Sequence, residues 1–447
     1  MLGGMWRTRL FPPLLLGCAA ILLFAGCTGG GASGRTPSPD PNGNSNPQSN
    51  STGNANGGGP ATTDKFALWS GGTQLRGANI FQRRVYPDVD GPDFLGPGPL
   101  GPPYTQADFD RLAALGANCV NISHTGLFTQ AEPYEPDPDV EANLDALLDM
   151  IQQADMFAVI SFRSGPGRGE FALFPFEGLP TELVDQSVWR NALAQDGWVA
   201  MWRYAAERYG NRVIVVGYDL MVEPNAPAAI LNIFDPAEFY PVNADLLVDW
   251  NQLHPRLTAA IREADTETPI IVGANNFSSV IWLPFLRLSD DDRTVYAVHD
   301  YEPFNYTHQA PPNLTLTYPG LFDADGDGTP DSVDRAWIES FLAPVQSFMQ
   351  SNGVPIVANE FGVQRWEPGA AAYITDRMDV WEQLGVHHAN WLWTASHPPL
   401  AEDDAFNFRH GPDPDNHADV PQSELLDAIR TNWQRNAIRP SLLSPPR

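Results

Sequence analysis

The chain of 447 residues carries a formal net charge of −28, from 54 acidic and 26 basic side chains, and 43% of it is apolar. That length allows one large domain or two ordinary ones, and 13 tryptophans allow a sizeable core with aromatic residues left over for recognition. The acidic balance excludes a nucleic-acid partner, which needs a basic surface, and reads as a solvated acidic shell.

Lys65 is the only lysine. This removes Schiff-base chemistry, a pyridoxal site and a phosphate-binding Walker loop. Arginine does not serve as a base at neutral pH, so acid–base work falls to Asp, Glu, His or Tyr, with no cofactor for catalysis. Cys18, Cys27 and Cys119 show neither metal-ligand spacing nor a disulfide framework.

In chain order, residues 1–27 read as a secretory signal. Arg7 and Arg9 precede an apolar run, Leu10 to Phe24, that is short for a membrane span and contains Pro12 and Pro13. It ends in Leu23-Phe24-Ala25-Gly26-Cys27, which resembles a bacterial lipoprotein box with Cys27 as the lipidated residue. That resemblance implies a secreted protein, lipid-anchored to the cell envelope, with Thr28 favouring the outer membrane. The anchor is then the only membrane contact. Residues 28–63 are Gly, Ser, Asn, Pro and Thr, too polar to fold, and read as a flexible linker. The folded domain is expected over 64–438.

Within it, apolar runs of strand length alternate with amphipathic segments of helix length. Leu75–Ile80 is the first strand, Ala107–Leu115 a helix, and Asn118–Ser123 the second strand. Val140–Ala154 is a helix with Leu144, Leu147, Leu148 and Ile151 on one stripe. Phe157–Phe162 is the third strand, Gly197–Arg208 a helix and Val213–Met221 the fourth strand. Leu246–Glu263, Pro269–Ala274, Thr294–Tyr301, Arg335–Met349, Pro355–Phe361, Ala370–Leu384, His388–Ala395 and Ser423–Gln434 continue the rhythm. The pattern predicts an α/β fold, a (β/α)8 TIM barrel with long loops, in one monomeric unit. An open doubly wound sheet is the alternative, and no GxGxxG turn supports it.

In such a barrel the chemistry sits just past the carboxyl ends of the strands. The fourth strand delivers Glu223, with Pro224 expected to leave it extended and end the strand. The third delivers Arg163, the sixth His299 and Tyr301, the seventh Glu360, and the eighth Trp391 and Trp393. His124 and Asn121 on the second strand complete the candidate substrate-binding set. Two carboxylic acids among His, Tyr, Trp and Arg make an acid–base site with aromatic faces suited to pyranose rings.

This ordered set resembles glycoside hydrolase family 5, the cellulase family of retaining glycosidases, over about Phe66 to Gln434. The resemblance implies that Glu223, in Val222-Glu223-Pro224, is the acid/base and Glu360, in Asn359-Glu360-Phe361, the nucleophile. It implies that His299 and Tyr301 orient the glutamates and that Trp393 is the sugar platform, with Trp391 as the alternative. The chain departs from the family pattern at Val222, where the family has Asn, at Asn121, where it has Arg, and at Arg163, where it has His. Arg163 supplying the charge missing at position 121 would make these a coordinated change. The implied substrate is a β-linked polysaccharide or oligosaccharide, first a β-1,4-glucan, with β-mannan as the alternative. A reading from another class is a carbohydrate-binding surface lipoprotein that has lost catalysis.

One loop stands apart. Asp323, Asp325, Asp327, Asp331 and Asp334 fall at positions 1, 3, 5, 9 and 12 of the segment 323–334, with Gly328 at 6 and Thr329 beside it. That is the spacing of a Ca²⁺ loop, and a structural Ca²⁺ held by these six residues, Thr329 included, is expected.

Overall fold

The computed structural model describes residues 64–398 and 405–443. The signal and linker expected over 1–63, with Cys27, lie outside them. Eight strands close into a barrel: β1 Arg76–Phe81, β2 Cys119–Thr125, β3 Phe157–Ser164, β4 Val215–Asp219, β5 Ile270–Gly273, β6 Thr294–Asp300, β7 Ile356–Phe361 and β8 His387–Asn390. Neighbours pair in parallel around the ring, β1 closing against β8 on one side and β2 on the other. The helices between strands include α1 Gln106–Ala114, α2 Pro138–Gln153, α3 Ala192–Tyr209 and α4 Trp250–Arg262. They continue with α5 Arg335–Phe341, α6 Ala343–Asn352, α7 Ala370–Leu384 and α8 Glu424–Trp433.

Local chemistry explains the boundaries. Asp137 caps α2 by accepting from the N–H groups of Asp139 and Val140 at 3.0 and 3.4 Å, with Pro138 in the first turn. The α2 stripe Val140, Leu144, Leu147, Leu148 and Ile151 is buried. Asn191 caps α3, which therefore starts before the expected Gly197. The single helix expected over Arg335–Met349 is divided at Leu342 into α5 and α6, where Pro344 opens the second.

The barrel interior is layered. Its floor is apolar, built from Leu75, Cys119, Phe157, Val159, Val216 and Val357, and is closed by Trp69. The Trp69 indole donates to the Val216 carbonyl at 2.8 Å, and its own carbonyl meets His387 Nε2 at 2.8 Å. Above lies a polar layer of Asn79, Asn121, Ser161, Asp219 and Asn359, further along the same strands. The mouth of the barrel lies above that layer. Among the described residues no helix is long and apolar enough to cross a membrane.

Candidate active site

Glu223 and Glu360 approach each other at the mouth with His299 between them. One oxygen of each carboxyl and one ring nitrogen of His299 all lie within 4.8 Å of one another. His299 Nδ1 is 2.9 Å from Glu223 Oε1 and 3.7 Å from Glu360 Oε2, and the Tyr301 hydroxyl donates to Glu360 Oε1 at 2.8 Å. The three charged groups are 92–94% buried, from exposures of 8% for Glu223, 6% for Glu360 and 7% for His299.

Strand geometry places each side chain. His299 and Tyr301 are two residues apart at the end of β6 and point to the same side. Asp300 between them points outward, where Arg377 Nη1 donates to its carboxylate at 2.6 Å. On β7 the register against β6 shifts between Ala358 and Glu360. This bulge breaks the strict alternation, so the consecutive Asn359 and Glu360 both serve the interior. Asn359 donates to Asp219 at 2.9 Å and Glu360 receives Tyr301.

Glu223 arrives differently from expectation. The β4 ladder ends at Asp219, not at the proline. Leu220 and Val222 each donate one further bond, to Ile271 and Phe162, and Glu223 then adopts φ of +51°. Pro224 was expected to leave it extended; the backbone turns into the left-handed region instead. At this turn the Arg168 guanidinium donates to the Val222 carbonyl at 2.7 Å and the Glu223 carbonyl at 2.8 Å.

The charges are mutually dependent. Burial works against a charged His299, but the Glu360 and Glu223 carboxylates outweigh it and lift the imidazole to about 9. Burial pushes Glu360 up, and the neighbouring Glu223 charge pushes the same way; His299, Tyr301 and Arg163 oppose them. Asp219, beneath the pair, is pushed up to about 6 by burial.

Arg163 reaches this site from the end of β3. Its guanidinium lies 4.3 Å over the Phe81 ring, and its Nε and Nη1 have no hydrogen-bond partner among the described residues. Burial weakens its hold on its proton, while Glu170, Glu360 and Glu223 strengthen it. It is a buried cation close enough to both glutamates to interact with their charges.

Three expected substrate contacts are placed elsewhere. Asn121 sits one layer below the mouth. Its amide donates to Asn79 Oδ1 at 2.6 Å and to the Asn359 carbonyl at 3.3 Å, and its oxygen accepts from Ser161 at 2.7 Å. His124 is on the opposite phase of β2 and faces α2, with Nε2 2.9 Å from Asn143 and Nδ1 2.6 Å from the Thr125 carbonyl. Trp393 is only 1% exposed, donates to the Asp108 carbonyl at 3.1 Å and lies under the Arg409 guanidinium at 4.2 Å. Such a ring offers no free face. Trp391 is half-buried, edge-on to Phe81 with centroids 6.3 Å apart, and is the tryptophan of the pair left open at the mouth.

Sequence reasoning missed Arg168 and the polar layer of Asn79, Ser161, Asp219 and Asn359. The layer had a usable signal, polar residues inside otherwise apolar strand runs. Arg168, in a Gly/Pro-rich loop, had none.

Residues 323–330 form the tip of a two-stranded hairpin, Gly320–Phe322 against Asp331–Val333. One oxygen each from Asp323, Asp325 and Asp327 lie within 4.8 Å of one another. Oxygen donors this close fit a hard cation. The other expected ligands are not drawn into that group. Asp331 accepts from the Ala324 N–H at 3.1 Å, and Asp334 caps α5 through the N–H groups of Ala336 and Trp337 at 2.9 and 3.2 Å. Thr329 contributes its backbone N–H to Asp327 at 2.6 Å.

Comparison with known proteins agrees with this fold. The sequence model of the cellulase family, glycosyl hydrolase family 5, matches residues 74–397. Endoglucanase C of Acetivibrio thermocellus is 22% identical over 282 residues, covering 58% of this chain and 74% of that protein. Cel5A of Thermotoga maritima in complex with cellobiose superposes with a TM-score of 0.57 at 16% identity, over 82% of this chain and all of that one. The same protein in complex with mannotriose gives 0.56 over the same share.

Proposed function

Because the chain belongs to glycosyl hydrolase family 5 and is a glycosidase acting on O-glycosyl compounds, we propose that it cleaves β-glycosidic bonds in a polysaccharide with retention of configuration, as an endo-β-1,4-glucanase. The observation that carries the mechanism is the closeness of Glu223 and Glu360, oxygens within 4.8 Å. A retaining pair stands about 5 to 5.5 Å apart, whereas an inverting pair leaves roughly 6.5–9.5 Å for a water.

In the first step a Glu360 oxygen bonds to the anomeric carbon as the bond to the leaving oxygen breaks. That oxygen keeps the electron pair and takes the proton of Glu223. In the second step Glu223 takes a proton from water, the water oxygen bonds to the anomeric carbon, and the ester to Glu360 breaks to return the carboxylate. Tyr301 and Arg163 favour the charged nucleophile before and after each cycle. Burial and like charge favour one shared proton in such a pair, and in this reading Glu223 carries it into the first step.

The substrate assignment rests on relatives named endoglucanases. A β-mannan is the second reading, favoured by the mannotriose complex of the Thermotoga maritima structure. A binding protein without catalysis has no support among the relatives, and the intact pair argues against it. Reducing-sugar release from soluble β-glucan and β-mannan by wild type and Glu360→Ala tests activity, and proton NMR of the first-formed anomer tests retention. An α-anomer formed first would exclude the double displacement.

Two further assignments belong to this reading. Asp323, Asp325 and Asp327 hold a structural Ca²⁺ that fastens the hairpin tip. The sequence of the amino-terminal segment, Cys27 included, supports secretion and lipid anchoring to the envelope.

A further inference from the structure

Arg168 is fully buried and makes no ion pair among the described residues. A buried guanidinium without a carboxylate partner is costly unless its donors are otherwise satisfied. Here both Nη groups are spent on the segment that carries Glu223, while Nε is buried without a partner among the described residues. Nη1 donates to the Val222 carbonyl at 2.7 Å, and Nη2 to the Glu223 carbonyl at 2.8 Å and Asn225 Oδ1 at 3.5 Å. The two carbonyls lie past the end of the β4 ladder, where no strand neighbour accepts the role of donor. Left alone they would be buried acceptors without partners, a costly state for backbone groups. Glu223 meanwhile holds φ of +51°, a conformation that a residue with a Cβ keeps only when its surroundings over-determine it.

The mount of Arg168 is itself rigid. Gly165 and Arg168 exchange backbone bonds at 3.0 and 2.8 Å, closing a four-residue turn. The Trp198 indole, on α3, donates to the Pro166 carbonyl of that turn at 2.9 Å. Gly167 has φ of +64°, and a Cβ there would come within 2.7 Å of Ala194. A stiff turn on β3 therefore aims a fork of parallel donors at the backbone of the residue that ends β4.

We infer that Arg168 is the positioning residue of the acid/base: its guanidinium clamps the Val222 and Glu223 carbonyls and so sets the direction in which the Glu223 carboxyl meets the leaving oxygen. The inference rests on Glu223 being the acid/base of the reading above. The clamp acts through backbone carbonyls alone and so does not depend on which side chain stands at position 222. Its effect is confined to proton delivery and does not extend to the attack by Glu360.

That confinement is the test. Arg168→Lys keeps the charge but replaces a planar fork by a point donor. Wild type and R168K are assayed on cellotetraose, whose leaving group needs the proton, and on 2,4-dinitrophenyl β-cellobioside, whose leaving group departs without it. The expected result is a loss of about 10- to 100-fold in kcat/KM on cellotetraose against about 3-fold or less on the aryl glycoside. In a Glu223→Gln background R168K adds no further loss on cellotetraose. Equal losses on both substrates would mark a merely structural role and overturn the inference. A wild type inert on both overturns the glycosidase reading and the inference with it. Should R168K be recovered unfolded, Trp198→Phe, which loosens the same turn, decides. A loss confined to cellotetraose supports the clamp, and equal losses or none overturn it.

Discussion

The Tyr301 hydroxyl donates to Glu360 Oε1 at 2.8 Å, across the β6–β7 seam, in the same pocket where His299 Nδ1 lies 2.9 Å from Glu223 Oε1. Each glutamate thus has a hydrogen-bond partner from the end of β6. A hydrogen bond to a charged carboxylate contributes about 1.5–3 kcal/mol. Tyr301→Phe should lower kcat by roughly 10- to 100-fold with little change in KM. Steady-state kinetics on a soluble β-glucan checks this, and an unchanged kcat would show that the bond does not act on the nucleophile.

His299 carries its proton to about 9, and that positive charge holds the Glu360 carboxyl down against burial. Removing the cation lets Glu360 rise further. The acidic limb of the rate profile reports ionisation of the nucleophile, so His299→Gln should move that limb to higher pH, by roughly one unit. A limb that stays in place, or moves down, would contradict the assignment of Glu360 as nucleophile.

Trp391 and Trp393 are separated by one residue and should respond oppositely to truncation. Trp393 is 1% exposed and packs under Arg409, so Trp393→Ala should cost about 3–5 kcal/mol of stability. Trp391 is half-buried at the mouth, so Trp391→Ala should raise KM for oligosaccharides several-fold while the melting temperature changes little. Thermal melts and kinetics on the same preparations separate the two effects.

Glu367 lies apart from the chemistry and is pushed up to about 8 by burial, with its one hydrogen-bond donor, Gln309, unable to offset it. In the unfolded chain the same carboxyl ionises near its usual 4.5. The folded state therefore holds a proton that the unfolded state has lost, and stability is full below about 4.5 and falls as pH rises towards 8. Glu367→Gln keeps the neutral form at every pH. It should melt close to wild type at pH 5 and higher than wild type at pH 9; a wild type equally stable at both would refute the shift.

If Asp323, Asp325 and Asp327 hold Ca²⁺, a chelator should lower the melting temperature of wild type and leave Asp325→Asn/Asp327→Asn unaffected. Calorimetry with added Ca²⁺ should then restore only the wild type. Identical melts with and without chelator would leave the loop as an acidic turn fastened by its own N–H groups, such as Gly326 and Gly328 to Asp323 at 2.7 and 2.9 Å.

Much of this protein was readable from the order of its residues alone. Absence of lysine other than Lys65 left acid–base work to carboxylates, histidine and tyrosine. The alternation of apolar runs and amphipathic segments stated the barrel, because buried parallel strands read as continuous apolar stretches and their helices do not. Glu223, His299, Tyr301 and Glu360 stand at the ends of strands four, six and seven, and the closed ring brings them together.

What the sequence could not state was which way a buried side chain faces. Barrel strands are buried on both sides, inward against the interior and outward under the helices, so every residue of β2 is buried and apolarity gives no phase. Asn121 in the polar layer and His124 against Asn143 were separable only once the register was known. The same holds for Trp393, which turned into the core while Trp391 stayed at the mouth. The conformation of Glu223 lay further out of reach. A proline after it argued for an extended residue, and the turn that forms instead meets an arginine 55 positions away in the chain, whose two donors reach backbone carbonyls only when β3 and β4 lie side by side. Local pattern names the groups that do chemistry; the contacts that aim them are long-range, and only the closed barrel supplies them.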